Sequence, residues 1–403
     1  FAALFRVTAV GLPPTLSEDV YRYAWDGRLT VQGINPYRHP PDDPALAELR
    51  DGVLYPRMNS PSFHTVYPPL SQGVFAGAAL VGERIVGHSM ATVFVLKAVM
   101  GAFDVGSVLL LVMLIGAYGG ERRHLLLYAW NPLPILEFAG NAHSEAAMVF
   151  LLLAALLAAH RQRSALAGGA LGASVLTKLV PVVLAPFLLR VVGWRCGVVF
   201  AGLLAVAAWP IVAAEGLGGY LGSLQLYFSY FEFNAGLYYA LKGLGGWLGS
   251  GDISKALGPT LAGVYALFAL IVWARWRPRA PMALPRAAMV LFGGYLLLST
   301  TVHPWYVTSV LCLVPLLPGK AWVFFSFAVG WTYLSYGLDP PRQITMLLVV
   351  EYGVFAVLLL HDARRWLIST LMRSRAAWKV RRLRPHLVGD RLLDVGAGDG
   401  WVA

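Results

Sequence analysis

The chain has 403 residues, 58% of them hydrophobic and only 13% charged, with a net charge of +11. Soluble domains carry about 25% charged residues, so this composition excludes a soluble fold and describes an integral membrane protein. It also excludes a nucleic-acid partner, because the basic residues form no single stripe. They cluster at 121–124, 161–163, 190–195, 274–279 and 364–386, each beside an apolar run, as in the cytoplasmic loops of membrane proteins. Cys196 and Cys312 lie in apolar sequence and read as small core residues, without a disulfide framework.

A membrane-spanning helix needs roughly 20 apolar residues. The hydropathy pattern predicts spans near 90–117, 124–139, 145–160, 196–214, 257–274, 283–300, 305–318, 320–337 and 343–361, after a partial helix at 1–12. Two apolar stretches do not fit a simple span. Residues 66–82 begin with two prolines and are expected to dip without crossing. Residues 164–190 are interrupted at Thr177-Lys178 and Pro181 and are expected to form a broken hairpin. With 18–65 outside, all basic clusters then fall on the inner side. The polar stretches 140–145, 215–256, 301–306 and 338–343 fall on the outer side. Both ends of the chain read as truncated: it opens FAALFRVTAVGLPP without Met and closes LLDVGAGDGWVA.

The polar segments carry the chemistry. SEDVYRYAWDGR (17–28) sets the adjacent carboxylates Glu18 and Asp19 among arginines and aromatic residues, ahead of the proline-rich GINPYRHPP (33–41) with Arg38 and His39. Carboxylates near arginines stay ionised, and an ionised Asp can act as a general base toward a sugar hydroxyl. In WNPLPILEFAGNAHSEAAM (130–148), prolines interrupt one helix, and Asn141, His143 and Glu145 stand at the start of the next. A helix start offers free N–H groups to phosphate or hydroxyl ligands, and Ser144 could instead serve as a simple N-cap. Lys178 sits inside an apolar hairpin, where a cation is costly; it either snorkels or binds a lipid phosphate. Lys97 and Asp104 share one face of a span and read as an ion pair or a helix contact. STTVHPWYV (299–307) presents His303 beside aromatic residues suited to an interfacial belt, and the aromatic-rich 227–243 contains Asn234.

In this order, these pieces resemble the membrane glycosyltransferases of the GT-C fold, closest to the catalytic subunit of GPI mannosyltransferase I and its bacterial relatives. The likeness runs over roughly 17–361. It takes in Asn35-Pro36-Tyr37, Tyr67-Pro68-Pro69-Leu70, Lys97 with Asp104, NPLP at 131–134, GNAHSE at 140–145, Lys178 with Pro181, Phe233-Asn234 with Tyr238, and the 303–306 turn. The resemblance implies an all-α multispanning protein with about 10–12 membrane helices, broken ones included. It implies a polyprenyl-phosphate-linked sugar donor, usually mannose, a lipid or glycan acceptor, and inverting transfer on the extracytoplasmic face of a bacterial inner membrane. The family's catalytic carboxylates form a D-x-D-type motif. Here the second falls on Asp19 and the first on Ser17, with Glu18 between, so a divalent metal is left as a possibility rather than carried over. Asp19, with Glu18, is the expected catalytic group. Lys178, Arg38 and His303 are the expected phosphate-binding cations, with Asn141, His143, Glu145, Tyr67 and Asn234 around the substrate.

The tail RLLDVGAGDG (391–400) resembles the first motif of class I S-adenosylmethionine-dependent methyltransferases, in which Asp394, Gly396 and Gly398 would line the cofactor. The expected organisation is a transmembrane transferase domain over 1–363, a basic cytoplasmic linker over 364–388 and the start of a Rossmann-like α/β domain over 389–403. The competing readings are a lipid or polysaccharide transporter, an O-antigen ligase-like enzyme and a membrane anchor for the methyltransferase.

Overall fold

The computed structural model describes residues 1–214, 217–229, 231–249, 251–278, 282–336, 338 and 343–383. Among them the chain is helical, with no named strand; a single bridge joins Phe233 to Thr301. Four helices are long and apolar enough to cross a membrane: Ser89–Ala117, Trp194–Ala213, Ser254–Arg275 and Thr345–Arg365. A fifth span arises if Pro132–Gly140 and Glu145–His160, bent by 119°, count as one. Shorter apolar helices occupy Ala2–Gly11, Ser164–Val175, Val180–Val192 and Ala283–Leu298. Large apolar side chains such as Trp194, Val206, Trp209, Leu270, Val357 and Leu360 are exposed on these helices. Contiguous apolar surface of that extent is stable only against lipid: the protein is a multi-pass membrane protein, all-α among the described residues.

Several expected spans are broken. The 124–139 run divides at Asn131-Pro132, where the Asn131 side chain accepts from the Leu133 N–H and donates to Ser326. The 305–318 and 320–337 runs yield only Pro304–Leu311 and Lys320–Ala328 before turns and 3-10 geometry intervene. Hydropathy alone does not register these breaks. Proline removes a helix-ladder donor, and a side-chain amide can replace the lost backbone bond. The 164–190 hairpin does break, between Ser164–Val175 and Val180–Val192. The basic 364–383 segment continues the Thr345–Leu383 helix; the methyltransferase-like motif at 391–400 lies outside the described residues.

The early polar segment is more ordered than a loop. Asp19–Val31 is a helix whose residues Val20 to Leu29 are all buried, and it packs along Pro69–Ala79. Gly27 permits this, since a Cβ there would stand 2.2 Å from the Phe75 carbonyl oxygen. The charged residues on this helix are matched. Arg22 binds Asp26 at 2.9 Å and the carbonyls of Ser60 and Phe63, Gln72 donates to the other Asp26 oxygen, and Arg28 pairs with Asp51 and Glu83. These contacts fasten the 42–65 loop over the helix. The loop itself begins after Val31, and His39 pairs with Asp43 within it.

Lys97 and Asp104 do not pair with each other. Asp104 binds Arg6 at 2.6 Å and accepts from the Tyr128 hydroxyl, while Lys97 donates to the Leu12 carbonyl. Both polar groups on the Ser89–Ala117 helix therefore hold the Ala2–Gly11 helix and the chain leaving it. An ionisable group in apolar surroundings persists when a neighbouring element supplies its partner.

Candidate active site

Asp19 is the first residue of its helix, and its carboxylate sits at the wall of a cavity of about 340 Å³. Tyr67, Lys178, Trp305, Tyr306 and Ser299 to Thr301 line the same cavity, and Val66, Val182, Val183, Leu224 and Leu298 supply apolar wall. The carboxylate is 17% exposed. One oxygen accepts from the Asn59 amide at 2.7 Å; the other lies 3.4 Å from the Tyr23 hydroxyl and 3.8 Å from His143 Nδ1. Asp19 is thus held in place on one side and open to the cavity on the other.

The break in the bent helix pair places the next groups. Ala142 takes a positive φ of 61°, and the chain turns from Gly140 to Glu145. Ser144 occupies the N-cap position of the Glu145–His160 helix without a capping side-chain bond, so simple capping does not explain the motif. His143 is fully buried and stacks on Trp305 with ring centroids 3.8 Å apart. Its Nε2 lies 3.4 Å from Glu137, whose other oxygen accepts from the Tyr333 hydroxyl at 2.6 Å. Glu145 is buried and pairs with Lys178 at 2.7 Å. The Lys178 ammonium also stands 5.1 Å from the Tyr306 ring centre, where the ring face attracts a cation. The Thr177–Leu179 break thus delivers a cation to the cavity wall.

The other sequence candidates lie elsewhere. Glu18 is exposed at the start of the Asp19 helix, and Arg38 is exposed outside the cavity lining. His303 is buried and stacks on Trp305 at 4.4 Å and on Phe233 at 5.0 Å, behind the cavity wall rather than on it. Asn141 accepts from the Leu16 N–H and donates to the Leu136 carbonyl, pinning the approach to Asp19. Asn234, at a φ of 47°, donates to Glu351 and lies outside the cavity lining. Among the described residues no group of three or more His, Cys, Asp or Glu side chains is arranged to hold a metal ion.

Sequence reasoning missed Asn59, Tyr23 and Glu137 and read Trp305 only as an interfacial anchor. Glu137 carried a signal, being the one carboxylate in the apolar run from Pro132 to Gly140. Asn59 carried none, since only the folded loop brings it to Asp19.

Residues 2–194 match the MptA_B family model, described as an alpha-(1->6)-mannopyranosyltransferase, N-terminal domain. The chain is a glycosyltransferase. The matched stretch contains Asp19, Tyr67, His143, Glu145 and Lys178; the transferase draws its remaining cavity wall, including Trp305 and Tyr306, from the later half. No curated protein matches the chain.

Proposed function

We propose that this transferase moves a mannosyl unit from a polyprenyl-phosphate donor to an acceptor hydroxyl with inversion, on the extracytoplasmic face of a bacterial inner membrane, within a GT-C-type helical frame. The observation that carries this reading is the single cavity joining a carboxylate, an ammonium and an apolar wall. A phosphate-linked sugar with an isoprenoid tail has the matching sequence of hydroxyls, anion and hydrocarbon. Lys178 takes the phosphate: its ammonium stands on the cavity wall, held there by its pair with Glu145. The apolar wall at Val66, Val182, Val183 and Leu298 takes the first part of the lipid. Asp19 accepts the proton of the attacking hydroxyl as the new bond to the anomeric carbon forms and the bond to the phosphate oxygen breaks. A single displacement needs one base, and adjacent Glu18, pointing to solvent, is not required as a second. Inversion of a β-linked donor yields an α-mannoside, the linkage in the matched family's description.

The test is transfer of labelled mannose from polyprenyl-phosphate-mannose in proteoliposomes, with the product's anomeric configuration read by NMR. Intact protein should form an α-mannoside and Asp19→Asn should form none. Full transfer by Asp19→Asn would remove the base assignment, and a β-mannoside from a β-linked donor would exclude single inversion.

A further inference from the structure

Behind Asp19 stands a buried array that the displacement itself does not use. His143 has a carboxylate toward each ring nitrogen: Asp19 lies 3.8 Å from Nδ1 and Glu137 lies 3.4 Å from Nε2. The Tyr23 hydroxyl bridges the first gap, 3.4 Å from Asp19 and 3.5 Å from His143 Nδ1. Tyr333 fixes Glu137 from the far side at 2.6 Å. Glu137 and His143 are 1% and 0% exposed. The peptide geometry locks their spacing, because the His143 N–H donates to the Glu137 carbonyl across the Ile135–Gly140 turn. Trp305, stacked on the imidazole, prevents ring rotation. A carboxylate is costly to bury at this depth among apolar helices, and packing alone would be served by an apolar residue.

We infer that Glu137 is a positioning residue for a proton store at His143, which empties Asp19 after each transfer. This rests on Asp19 being the base. Glu137 lies within ion-pair distance of Nε2, short of a hydrogen bond in the free enzyme, and favours the imidazole proton there, so that Nδ1 presents its lone pair toward Tyr23 and Asp19, much as a buried carboxylate orients the histidine in serine hydrolases. The acceptor hydroxyl gives its proton to Asp19 as the glycosidic bond forms. Protonated Asp19 passes that proton to the Tyr23 oxygen, and Tyr23 releases its own to His143 Nδ1. The imidazolium now lies between two carboxylates. When the glycoside leaves, the proton returns by the same groups to the departing lipid phosphate, a monoester whose second ionisation lies near pH 6. Bonds and charges balance without any further reactant. The distances to Tyr23 exceed the usual range of about 2.5–3.2 Å, as catalytic hydrogen bonds often do before substrate closes a site. Lys178, Glu145, His303 and Tyr67 are the other ionisable groups facing this array, and all four are retained in the test.

The test compares the full chain with Glu137→Gln, Tyr23→Phe and Asp19→Asn, measuring transfer from polyprenyl-phosphate-mannose across pH. The expected result for Glu137→Gln is a kcat at least about tenfold lower with KM for the donor unchanged, and a displaced pH profile; Tyr23→Phe should lower kcat in the same manner. A Glu137→Gln enzyme with native kcat and pH profile overturns the inference while Asp19→Asn remains inactive, which leaves the base assignment standing. Active Asp19→Asn overturns both. A second readout needs neither donor nor turnover: the carboxyl stretch that Glu137→Gln removes from the infrared spectrum should shift in His143→Gln. A band unmoved by that change overturns the coupling, whichever sugar the enzyme uses.

Discussion

Gly27→Ala tests whether the helix that carries Asp19 is set by backbone contact. In an isolated helix the change is favourable by about 1 kcal/mol, because alanine restricts the unfolded chain. Here the new Cβ would lie 2.2 Å from the Phe75 carbonyl oxygen and 3.1 Å from the Ala79 Cβ. Normal contact distances are about 3.5 Å, so the Asp19–Val31 and Pro69–Ala79 helices must separate by roughly 1 Å. The obstacle is backbone, which cannot rotate away, and overpacking of this kind costs about 1–3 kcal/mol. We expect the clash to win, with a net loss of about 1–2 kcal/mol after the helix-propensity gain, read as a lower unfolding midpoint in detergent. Activity should fall further than stability, because Asp19 rides on one helix and Tyr67 lies one residue before the Pro68 N-cap of the other; a misplacement of about 1 Å can cost about 100-fold in rate. Gly77→Ala is the matched control, since nothing lies within 4 Å of its added Cβ, and it should leave both readouts near native. A Gly27→Ala protein with native or raised midpoint and native transfer would refute the close-contact reasoning.

Three further outcomes follow from named contacts. Lys178→Met should raise KM for the lipid donor by about tenfold or more, since a charge-assisted bond to phosphate contributes about 1.5–3 kcal/mol; an unchanged KM would place the phosphate elsewhere. Asp104→Asn should strip Arg6 of its buried partner and destabilise the protein by about 3–5 kcal/mol, whereas the double change Arg6→Met with Asp104→Leu should recover much of that loss in thermal unfolding. At Asp51, burial opposes ionisation, but the Arg28 guanidinium and the Leu54 and Val53 N–H groups outweigh it and hold the carboxyl at about 2, below its usual 3.8. Its stabilising effect is therefore present above about pH 4 and lost as pH falls through about 2. Asp51→Asn should flatten the acid limb of the loop's protease-resistance profile, and an unchanged limb would count against the Arg28 pair.

Much of this protein is legible in its sequence because the bilayer is a demanding solvent. Long apolar runs fix Ser89–Ala117, Trp194–Ala213 and Ser254–Arg275, and the prolines and lysine near 178 announce a break. Asp19, His143 and Lys178 stood out because polar groups in apolar surroundings need a reason. Three-dimensional packing decided the rest. The segment after Asp19 folds as a buried helix, since Tyr23 stacks on Phe75 and Gly27 lets the backbones of the Asp19–Val31 and Pro69–Ala79 helices meet, and no linear pattern encodes that partner. Lys97 and Asp104 share a face but serve the first helix, because the nearest opposite charge in space is Arg6. Asn59 reaches Asp19 and Glu137 reaches His143 only once the 42–65 loop and the bent helix pair are in place. Hydropathy is a property of each residue and survives in the sequence; hydrogen bonds join residues that only folding brings within about 3 Å, so the membrane frame could be read along the chain and the site's wiring could not.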